Sequence, residues 1–341
     1  MNSRLEAAAP APEPAGAGGG SLPQPGAAVR APETPQYGLI FIHWNTPELA
    51  AAAVRSALDA LEDRPAQILV VDNGSRPEAL ERLRAGVPPA VEVLPLGENR
   101  GYAAAANRGL ERITAPYGFL LNTDVAFRGP VFRILSDVLE REPRAALAVP
   151  KLLRPDGSLQ PAAVPEPSLF WELTNRALPR HFLRLDPLRP TSVPSVVGPC
   201  MAVHMERIRQ VGGLDERFFF FFEETDWCRR LRRAGFEILY VPAAEVVHLQ
   251  GKSANTRPIR ARIQFYDSRY RYFRKHHGIT AERLLAAGLW LRLTLDWGLH
   301  SLLGLLPGAR RHRDRAAVYA ALWRWHARGR PPGHGFEPPS R

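Results

Sequence analysis

Acidic side chains stand beside strongly apolar segments at two places in this chain. Glu223, Glu224 and Asp226 directly follow five consecutive phenylalanines. Asp124 follows the apolar run 117–121, which we expect to form a buried strand. A carboxylate next to so much apolar surface is costly unless it is paired, bound to a metal or used in catalysis. The two groups of acids therefore predict a metal and nucleotide site that faces a separate general base.

The later acids have a second interpretation, because a helix is also expected to begin among them and to run over residues 224–234 before Gly235. The dipole at a helix N-terminus favours negative charge, so these acids could simply belong to the first turn. That account explains their position but not the phenylalanines before them. An acid held in an apolar wall could instead take a proton from an alcohol.

The segment Asn122-Thr123-Asp124 predicts a cation site, since it follows a strand and carries oxygen ligands. Mg²⁺ and Mn²⁺ take such ligands and keep positions open for phosphates. One carboxylate is a small ligand set, and His248, after the last predicted strand, could supply another. Imidazole would favour Mn²⁺ modestly. A lone histidine at a strand end is more often structural, so this role is a hypothesis.

Asp72 ends the second predicted strand, beside the turn Asn73-Gly74. An acid there can accept hydrogen bonds from a ribose or a base edge. It can equally be a turn-forming aspartate. The chain has no Gly-x-Gly-x-x-Gly after the first strand and no Walker loop. These absences argue against a dinucleotide-binding fold and against a P-loop NTPase.

Strands and helices must alternate to position these residues. Thr46 is a candidate N-cap and Pro47 a first helical residue for the helix that follows the first strand. Apolar runs predict strands over residues 39–45, 67–72, 91–95, 117–121, 146–153, 196–203 and 236–240. We expect an α/β fold with a mostly parallel central sheet, helices on both faces and amphipathic C-terminal helices. The proline-rich stretch 154–195 is too long for a simple connection and predicts a substrate-facing excursion.

The C-terminal run 284–306 is apolar but contains Arg292, Asp296 and His300, which are spaced four residues apart. They form one polar stripe on a helix, and such charges argue against a membrane-spanning segment. The basic residues 310–313 follow. A helix of this kind suits a membrane interface, and the alternative is a buried helix packed on protein.

The composition gives 45 Lys+Arg against 34 Asp+Glu, a net charge of +11, and most of the cations are arginine. Excess arginine suits phosphates, nucleic acid or an anionic membrane, although genome-wide arginine use explains it equally well. The catalytic half has no stripe of interleaved aromatic and basic residues, so we expect no nucleic-acid partner.

Two cysteines, Cys200 and Cys228, are too few for a disulfide framework, which predicts a reduced, cytoplasmic protein. Residues 1–36 are rich in Ala, Pro and Gly and lack the basic and apolar pattern of a secretory signal. We interpret them as a disordered tail.

From about residue 37 to 253 the chain resembles glycosyltransferase family 2, and within it the bacterial rhamnosyltransferase-like enzymes of cell-surface polysaccharide synthesis. The resemblance rests on six segments that occur in the family's order and spacing: Val70-Val71-Asp72-Asn73-Gly74-Ser75, Asn99-Arg100-Gly101-Tyr102 with Asn107-Arg108-Gly109, Leu121-Asn122-Thr123-Asp124, Gly198-Pro199-Cys200-Met201, Gly212-Gly213-Leu214-Asp215 and Phe222-Glu223-Glu224-Thr225-Asp226-Trp227-Cys228.

The resemblance implies a GT-A fold and an inverting displacement on a nucleotide-diphosphate sugar, with Mg²⁺ or Mn²⁺ as cofactor. Glu224 falls at the general base, and Asp124 and His248 at the metal and diphosphate. The remaining positions divide between donor binding (Asn45, Asp72, Asn99, Gly101, Asn107, Asn122) and the acceptor side (Glu223, Asp226, Gly198, Cys200). Two positions depart from the family pattern, since Asn122 stands where Asp is frequent and Glu224 where Asp is usual.

The resulting hypothesis is an inverting hexosyltransferase at the cytoplasmic face of the inner membrane. Its donor would be a dTDP- or UDP-sugar, first of all dTDP-L-rhamnose, and its acceptor a saccharide or lipid-linked saccharide. One alternative is a nucleotidyltransferase that makes a nucleotide sugar, but residues 43–47 offer no basic, Gly-rich triphosphate loop. Another is a non-catalytic sugar- or membrane-binding module, which the intact acids disfavour.

The expected organisation has four parts. A GT-A domain over residues 37–278 divides into a nucleotide-binding half, 37–130, and an acceptor half, 131–278. A helical membrane-interface segment, 279–330, follows it, and a disordered tail, 331–341, ends the chain.

Overall fold

The first half of the chain builds a parallel sheet whose strands all end at one edge. The computed structural model describes residues 35–174, 183–249 and 258–336. Strands and helices alternate as β1 (Tyr37–His43), α1 (Pro47–Ala60), β2 (Ala66–Asp72), α2 (Pro77–Gly86), β3 (Glu92–Pro95), α3 (Tyr102–Arg112) and β4 (Tyr117–Asn122). The four strands run parallel in the order β3-β2-β1-β4. Their carboxyl ends bring His43, Asp72 and Asn122 together.

Small residues let the helices lie close to this sheet. The interiors of β1 and β4 are buried, as parallel strands covered on both faces require. The buried faces of α1 and α3 consist mostly of alanine. Gly109 of α3 lies against Ile40, and a Cβ at this position would overlap the isoleucine side chain. The short distance between helix and sheet therefore depends on residues without bulk.

The second half extends the same sheet in mixed directions. Its elements are β5 (Val125–Arg128), α4 (Val131–Arg141), β6 (Ala145–Leu153), β7 (Leu159–Gln160), β8 (Ala163–Val164), α5 (Leu169–Leu173), β9 (Thr191–Ser192), β10 (Ser195–Val196), β11 (Cys200–His204), α6 (Met205–Val211), α7 (Glu223–Arg233) and β12 (Glu237–His248). The path continues as β4-β11-β6-β12-β5, with β11 and β5 antiparallel to their neighbours. The predicted α/β class with a central sheet is confirmed.

Two helices complete the described chain. The first, α8 (Pro258–Leu303), bends at Gly278, where φ is +85°, and α9 (Arg310–Ala327) packs along it. Their shared core is mainly aromatic and leucine-rich and includes Phe218 and Phe222 from the segment before α7. Among the residues described, no helix has both the length and the apolar composition to cross a membrane. The predicted C-terminal helices are therefore present and rest on the phenylalanine run.

Several local expectations differ from the structure. The strand predicted over 196–203 is two strands, since Pro199 has no N–H to continue a ladder. The strand predicted to end at residue 240 continues to His248 through an irregularity between Val241 and Glu245. Thr46 makes no side-chain capping bond; its hydroxyl lies 3.2 Å from the Thr123 hydroxyl.

The predicted limits of the GT-A domain, 37 and 278, lie within one compact unit, Pro32–Arg341. The division of this domain into a nucleotide-binding half and an acceptor half stays a prediction. Most of the tail predicted over 1–36, and residues 337–341, lie outside the described residues. Residues 331–336 are described, and the Phe336 ring packs against Phe220 at 6.0 Å between centroids. The excursion predicted over 154–195 is described except for residues 175–182.

Trp227 gives a direct test of the core beneath α7. The side chain is fully buried, and its Nε1 donates to the Gly212 carbonyl at 2.9 Å. We expect Trp227→Ala to lower the free energy of unfolding by about 3–5 kcal/mol, because it leaves a large cavity and an unpaired carbonyl. Trp290→Ala is the matched control, since Trp290 is 42% exposed. Denaturant unfolding of both variants checks this; equal losses would contradict the packing described.

Candidate active site

A cavity of about 340 Å³ opens at the carboxyl ends of β1, β2 and β4. This is the edge at which open α/β sheets bind ligands. Its wall combines polar side chains from the strand ends with aromatic rings from the phenylalanine run: Ile42, His43, Trp44, Leu49, Asn73, Asn99, Gly101, Tyr102, Asn122, Thr123, Asp124, Phe219, Phe220, Phe221, His248, Arg260 and Phe336. We call it the donor cavity.

Asn99, Gly101 and Asn122 lie on the wall of the donor cavity, where the sequence predicted them. Asn99 Oδ1 accepts from Gly101 N at 3.0 Å and from Asn73 Nδ2 at 3.1 Å, which holds the loop before α3. Gly101 has φ +88°, and a Cβ there would overlap the Phe219 carbonyl. Only glycine lets these two segments meet, because both the backbone angle and the close approach exclude a side chain.

Asp72 lies behind the wall rather than on it, which corrects the expectation of a direct ligand contact. Its carboxylate accepts from His43 Nδ1 at 2.8 Å and from Ser75 N at 3.2 Å. Thr46 N donates to His43 Nε2 at 3.0 Å, so the proton of this imidazole is on Nδ1 and faces Asp72. Burial raises the pKa of Asp72, but the hydrogen bonds from His43 and Ser75 outweigh it and lower the pKa. Asp72 thus fixes the His43 ring, which does line the cavity.

Two predicted donor-binding asparagines have structural contacts instead. Asn45 Oδ1 accepts from Arg76 N at 2.9 Å and so ties the loop after β1 to the loop after β2. Asn107 faces the opposite side of α3, where its amide exchanges hydrogen bonds with the backbone of Leu214 at 2.8 and 2.9 Å. Neither side chain is part of the donor cavity wall. The Asn45 side-chain oxygen and the Asn107 amide are held by these contacts, which corrects the expectation that both side chains face the donor cavity.

Asp124 and His248 meet at the floor of the donor cavity. Asp124 follows β4, and β12 pairs with β5 so that His248 lies opposite Val125. The separation between His248 Nε2 and Asp124 Oδ1 is 3.3 Å. Gln160 lies on the other side of the imidazole, its Nε2 2.9 Å and its Oε1 3.3 Å from Nδ1. The Gln160 amide oxygen can therefore accept a hydrogen bond from Nδ1–H when Nε2 binds a cation. Histidines that bind a metal typically make such a hydrogen bond with their other ring nitrogen.

This pair fits a divalent cation that shares its coordination with a diphosphate. The described residues contain no group of three or more His, Cys, Asp or Glu arranged around a metal position. Mg²⁺ and Mn²⁺ commonly keep several positions for water and phosphate oxygens, so one carboxylate and one imidazole are compatible with them. Asn122 lies on the same wall.

A second cavity of about 200 Å³ lies on the other side of the phenylalanine run, and we call it the acceptor cavity. It shares Phe221 with the donor cavity. Aromatic rings, prolines and three carboxylates form its wall: Val164, Pro165, Glu166, Pro167, Ser168, Trp171, Glu172, Val196, Val197, Phe221, Phe222, Glu224, Thr225 and Phe265. A mixed apolar and acidic wall of this kind suits a saccharide, whose faces are apolar and whose hydroxyls donate.

Strained backbone directly precedes Glu223 and Glu224, and Glu224 lines the acceptor cavity. Phe221 and Phe222 have φ of +70° and +69°, a left-handed conformation that non-glycine residues rarely adopt. The chain turns sharply there, and α7 begins at Glu223. The buried Oε2 atoms of both glutamates and the hydroxyl of Tyr102 have no hydrogen-bond partner among the described residues. These three polar atoms are therefore available to hydrogen-bond a bound molecule.

Burial also sets the proton affinity of these groups. Desolvation raises the pKa of Glu224 to about 7. The pKa of Glu223 is raised well above its ordinary value by burial and then by the charge of Glu224. Burial and the same two acids raise the pKa of Tyr102. A carboxyl that titrates near neutral pH can take a proton from an alcohol, whereas a strongly acidic one is a poor base.

The other predicted acceptor-side residues divide into near and distant groups. A Cβ at Gly198 would lie 3.8 Å from Glu224 Cβ, so this glycine does border the base. Cys200 is fully buried in β11, opposite Leu121, and burial raises the pKa of its thiol. It is not part of the acceptor cavity wall.

Asp226 faces away from Glu224, because two helical positions differ by about 200° around the axis. Its carboxylate contacts Arg230 Nε at 2.8 Å and both His276 Nε2 and Lys275 Nζ at 2.6 Å. Burial raises its pKa, but the hydrogen bonds from His276, Lys275 and Arg230 outweigh it and lower the pKa. Asp226 therefore joins α7 to α8, and its predicted place on the acceptor side is wrong.

Sequence reasoning did not assign several residues of the donor cavity wall. His43 could have been found, because the end of β1 must lie beside Asp72 in a parallel sheet. Tyr102 belongs to a segment quoted for the resemblance but was given no role. Arg260 and Phe336 come from distant parts of the chain, and no sequence signal connects them with the strand ends.

Comparison with known proteins decides the family. The family described as "Glycosyl transferase family 2" matches residues 39–212. The chain belongs to this family. It is a glycosyltransferase, and the family and the α/β fold class predicted from the sequence are confirmed.

Two curated relatives and one solved structure are similar to this chain. An N-acetylglucosaminyl-diphospho-decaprenol L-rhamnosyltransferase of Mycobacterium tuberculosis is 31% identical over 273 residues, which cover 73% of this chain and 85% of the relative. A low-salt glycan biosynthesis hexosyltransferase of Haloferax volcanii is 26% identical over 191 residues, 54% of this chain and 59% of the relative. A mannosyltransferase structure from Pyrobaculum calidifontis, in complex with GDP-Man and Mn²⁺, has a TM-score of 0.49 at 14% identity and covers 86% of this chain and 87% of that one.

The glutamate pair predicts how the stability of this glycosyltransferase depends on pH. The pKa of Glu223 is raised above 4.5, so the folded state holds a proton that the unfolded chain releases near that value. Because the neighbouring Glu224 has a pKa raised to about 7, stability must fall as pH rises between about 5 and about 7. We expect Glu223→Gln to lose less stability over this range. Denaturant unfolding at the two limits of this pH range checks the prediction, with exposed Glu78→Gln as control. If the free energy of unfolding of Glu223→Gln and of wild type changed equally with pH, the burial of the Glu223 carboxyl would be contradicted.

Proposed function

We propose that this glycosyltransferase transfers a sugar, with inversion, from a nucleotide-diphosphate sugar to a hydroxyl of a saccharide or lipid-linked saccharide. The observation that carries the proposal is the position of Glu224 in the wall of the acceptor cavity, where its buried Oε2 has no hydrogen-bond partner among the described residues. That cavity shares Phe221 with the donor cavity. The donor cavity takes the nucleotide and diphosphate, and the acceptor cavity takes the sugar that receives the transferred unit.

The reaction is a single displacement. The acceptor hydroxyl gives its proton to Glu224, and its oxygen forms a bond to the anomeric carbon of the donor. The bond between that carbon and the diphosphate breaks on the opposite face, so the configuration at the carbon inverts. Desolvation of Glu224 supports the proton transfer, because it raises the carboxyl's affinity for the proton.

Charge on the departing diphosphate also needs stabilisation. Asp124 and His248 would hold Mg²⁺ or Mn²⁺, which supplies positive charge at the phosphate oxygens. Arg260, also on the donor cavity wall, adds a cation at the same opening. Asn99 and the backbone at Gly101 hold the loop against which the diphosphate would rest.

We infer dTDP-L-rhamnose as the first donor to test, since the relative with the highest coverage among those described is named an L-rhamnosyltransferase. The acceptor of that relative is a diphospho-decaprenol-linked sugar, which supports a lipid-linked acceptor for this enzyme. An acceptor of this kind supports a location at the cytoplasmic face of the inner membrane and a role in cell-surface polysaccharide synthesis.

Removing Asp124 tests the cation site. Calorimetric titration of the wild type with dTDP-, UDP- and GDP-sugars should show binding that depends on Mn²⁺ or Mg²⁺ and weakens with chelator. We expect Asp124→Ala to bind the same sugar weakly, with an affinity that does not depend on the metal, because the substitution removes the carboxylate of the proposed cation site. Exposed Asp156→Ala is the control. Metal-dependent binding that persists in Asp124→Ala would refute the assignment.

Removing the carboxylate of Glu224 tests the base. We expect Glu224→Gln to lower kcat by roughly 10²–10⁴-fold while donor binding stays near wild type. In the wild type, kcat should rise as pH increases through about 7, where Glu224 loses its proton. Glu166→Gln is the matched control, since Glu166 lines the same cavity but is paired with Arg229 and Arg232. Near wild-type turnover by Glu224→Gln would exclude it as the base.

A further inference from the structure

The second half of α8 carries an apolar face that no other described part of the chain covers. Its exposed leucines are spaced seven, four, four and three residues apart, so they form one stripe along the helix. The opposite face, with Leu285, Leu289 and Leu293, is buried against the body. The stripe continues into the turn before α9. Its members, each more than half exposed, are Leu284, Leu291, Leu295, Leu299, Leu302, Leu305 and Leu306, and we call them the leucine surface.

Arginines cluster at the end of the leucine surface. Arg310, Arg311, Arg313 and Arg315 are exposed in the first turns of α9, where Asp314 is the one nearby acid. Extended apolar surface bordered by cations is the arrangement of a protein that rests on anionic lipid, with leucines in the acyl boundary and arginines at the headgroups. A second copy is a poorer fit, because each chain carries a net charge of +11.

The leucine surface is continuous with the wall of the acceptor cavity through α5. Arg269 of α8 forms a buried ion pair with Glu172 at 2.9 Å, and a Cβ at Gly288 would overlap Leu173. These contacts seat α5 directly on α8. Phe170 is 62% exposed on the outer side of α5, whereas Trp171 lies in the acceptor cavity wall. The short helix therefore reaches from the apolar exterior to the cavity that contains Glu224.

We propose that the leucine surface and the arginines at the start of α9 dock this enzyme on an anionic lipid bilayer, and that α5 leads from the bilayer to the acceptor cavity. The second part rests on the proposed function, in which the acceptor is attached to a lipid. The bilayer contact itself rests on the exposed leucines and arginines alone. Docking in this way lets a membrane-anchored headgroup reach Glu224 without leaving the lipid surface.

Vesicle binding tests the apolar part. Full-length enzyme is sedimented with vesicles of phosphatidylglycerol and phosphatidylethanolamine. We expect wild type to bind and Leu302→Glu/Leu305→Glu to lose at least about tenfold in affinity, because charge replaces buried apolar area. Leu159→Glu/Leu188→Glu is the matched control, since these leucines are 58% and 84% exposed but lie outside the leucine surface. It should bind as wild type does.

A second pair of variants tests the charge. Arg310→Gln/Arg311→Gln should weaken binding to the anionic vesicles by roughly fivefold for each arginine, and should leave any binding to neutral phosphatidylcholine vesicles unchanged. Arg84→Gln/Arg209→Gln removes two exposed arginines elsewhere and should have little effect. Equal losses in both pairs would mean that net charge, not this surface, holds the enzyme on lipid, and would overturn the proposal.

Two further measurements separate the surface from the proposed reaction. Donor titration on the same preparations shows whether each variant is folded and whether the donor site exists independently of lipid. If the wild type bound vesicles but no donor, lipid docking would be supported and the proposed reaction rejected. If the wild type bound a donor but no vesicles, the proposed reaction would be supported and lipid docking rejected. Light scattering gives the oligomeric state, and a dimer that Leu302→Glu/Leu305→Glu converts to monomer would overturn lipid docking in favour of a second copy.

Discussion

The left-handed backbone at Phe221 and Phe222 is the constraint on which the site depends. Two consecutive non-glycine residues with positive φ are unfavourable, so the surrounding packing must hold them. Phe222 does this by packing in the core beneath α8 and α9. Because the turn is fixed, α7 begins at Glu223 and Glu224 lies in the wall of the acceptor cavity. Loosening that turn would move Glu224 out of this position.

The C-terminal helices belong to the catalytic arrangement for the same reason. Asp226 lies two residues after Glu224, on the opposite side of α7, and is bound by Arg230, Lys275 and His276. These contacts fasten α7 to α8, so the position of Glu224 depends on a helix that lies far along the chain. The buried pair between Arg269 and Glu172 extends the connection to α5 and to the acceptor cavity. Direct contacts thus connect the acceptor cavity to the helix that carries the leucine surface.

The donor side is organised by a different principle, the parallel strand ends. Residues that the chain separates widely meet because β1, β2 and β4 end at one edge and β12 returns beside β5. Several of their polar groups form hydrogen bonds within the protein: Asp72 orients His43, and Asn99 holds the loop at Gly101. Asp124 and His248 also face the cavity, and His248 Nε2 lies 3.3 Å from Asp124 Oδ1.

The sequence by itself determined the alternation of strands and helices, the family, and the positions of Asp124 and Glu224, because apolar periodicity and motif order are local properties. It also placed the exposed apolar run near the C-terminus. Only the tertiary structure decided which polar groups remain free. Asn45, Asn107 and Asp226 satisfy partners that lie 31, 107 and 50 residues away, so no local pattern reveals that they are engaged. Arg260 and Phe336 reach the donor cavity for the same reason, since side-chain contacts across the fold depend on how distant elements pack.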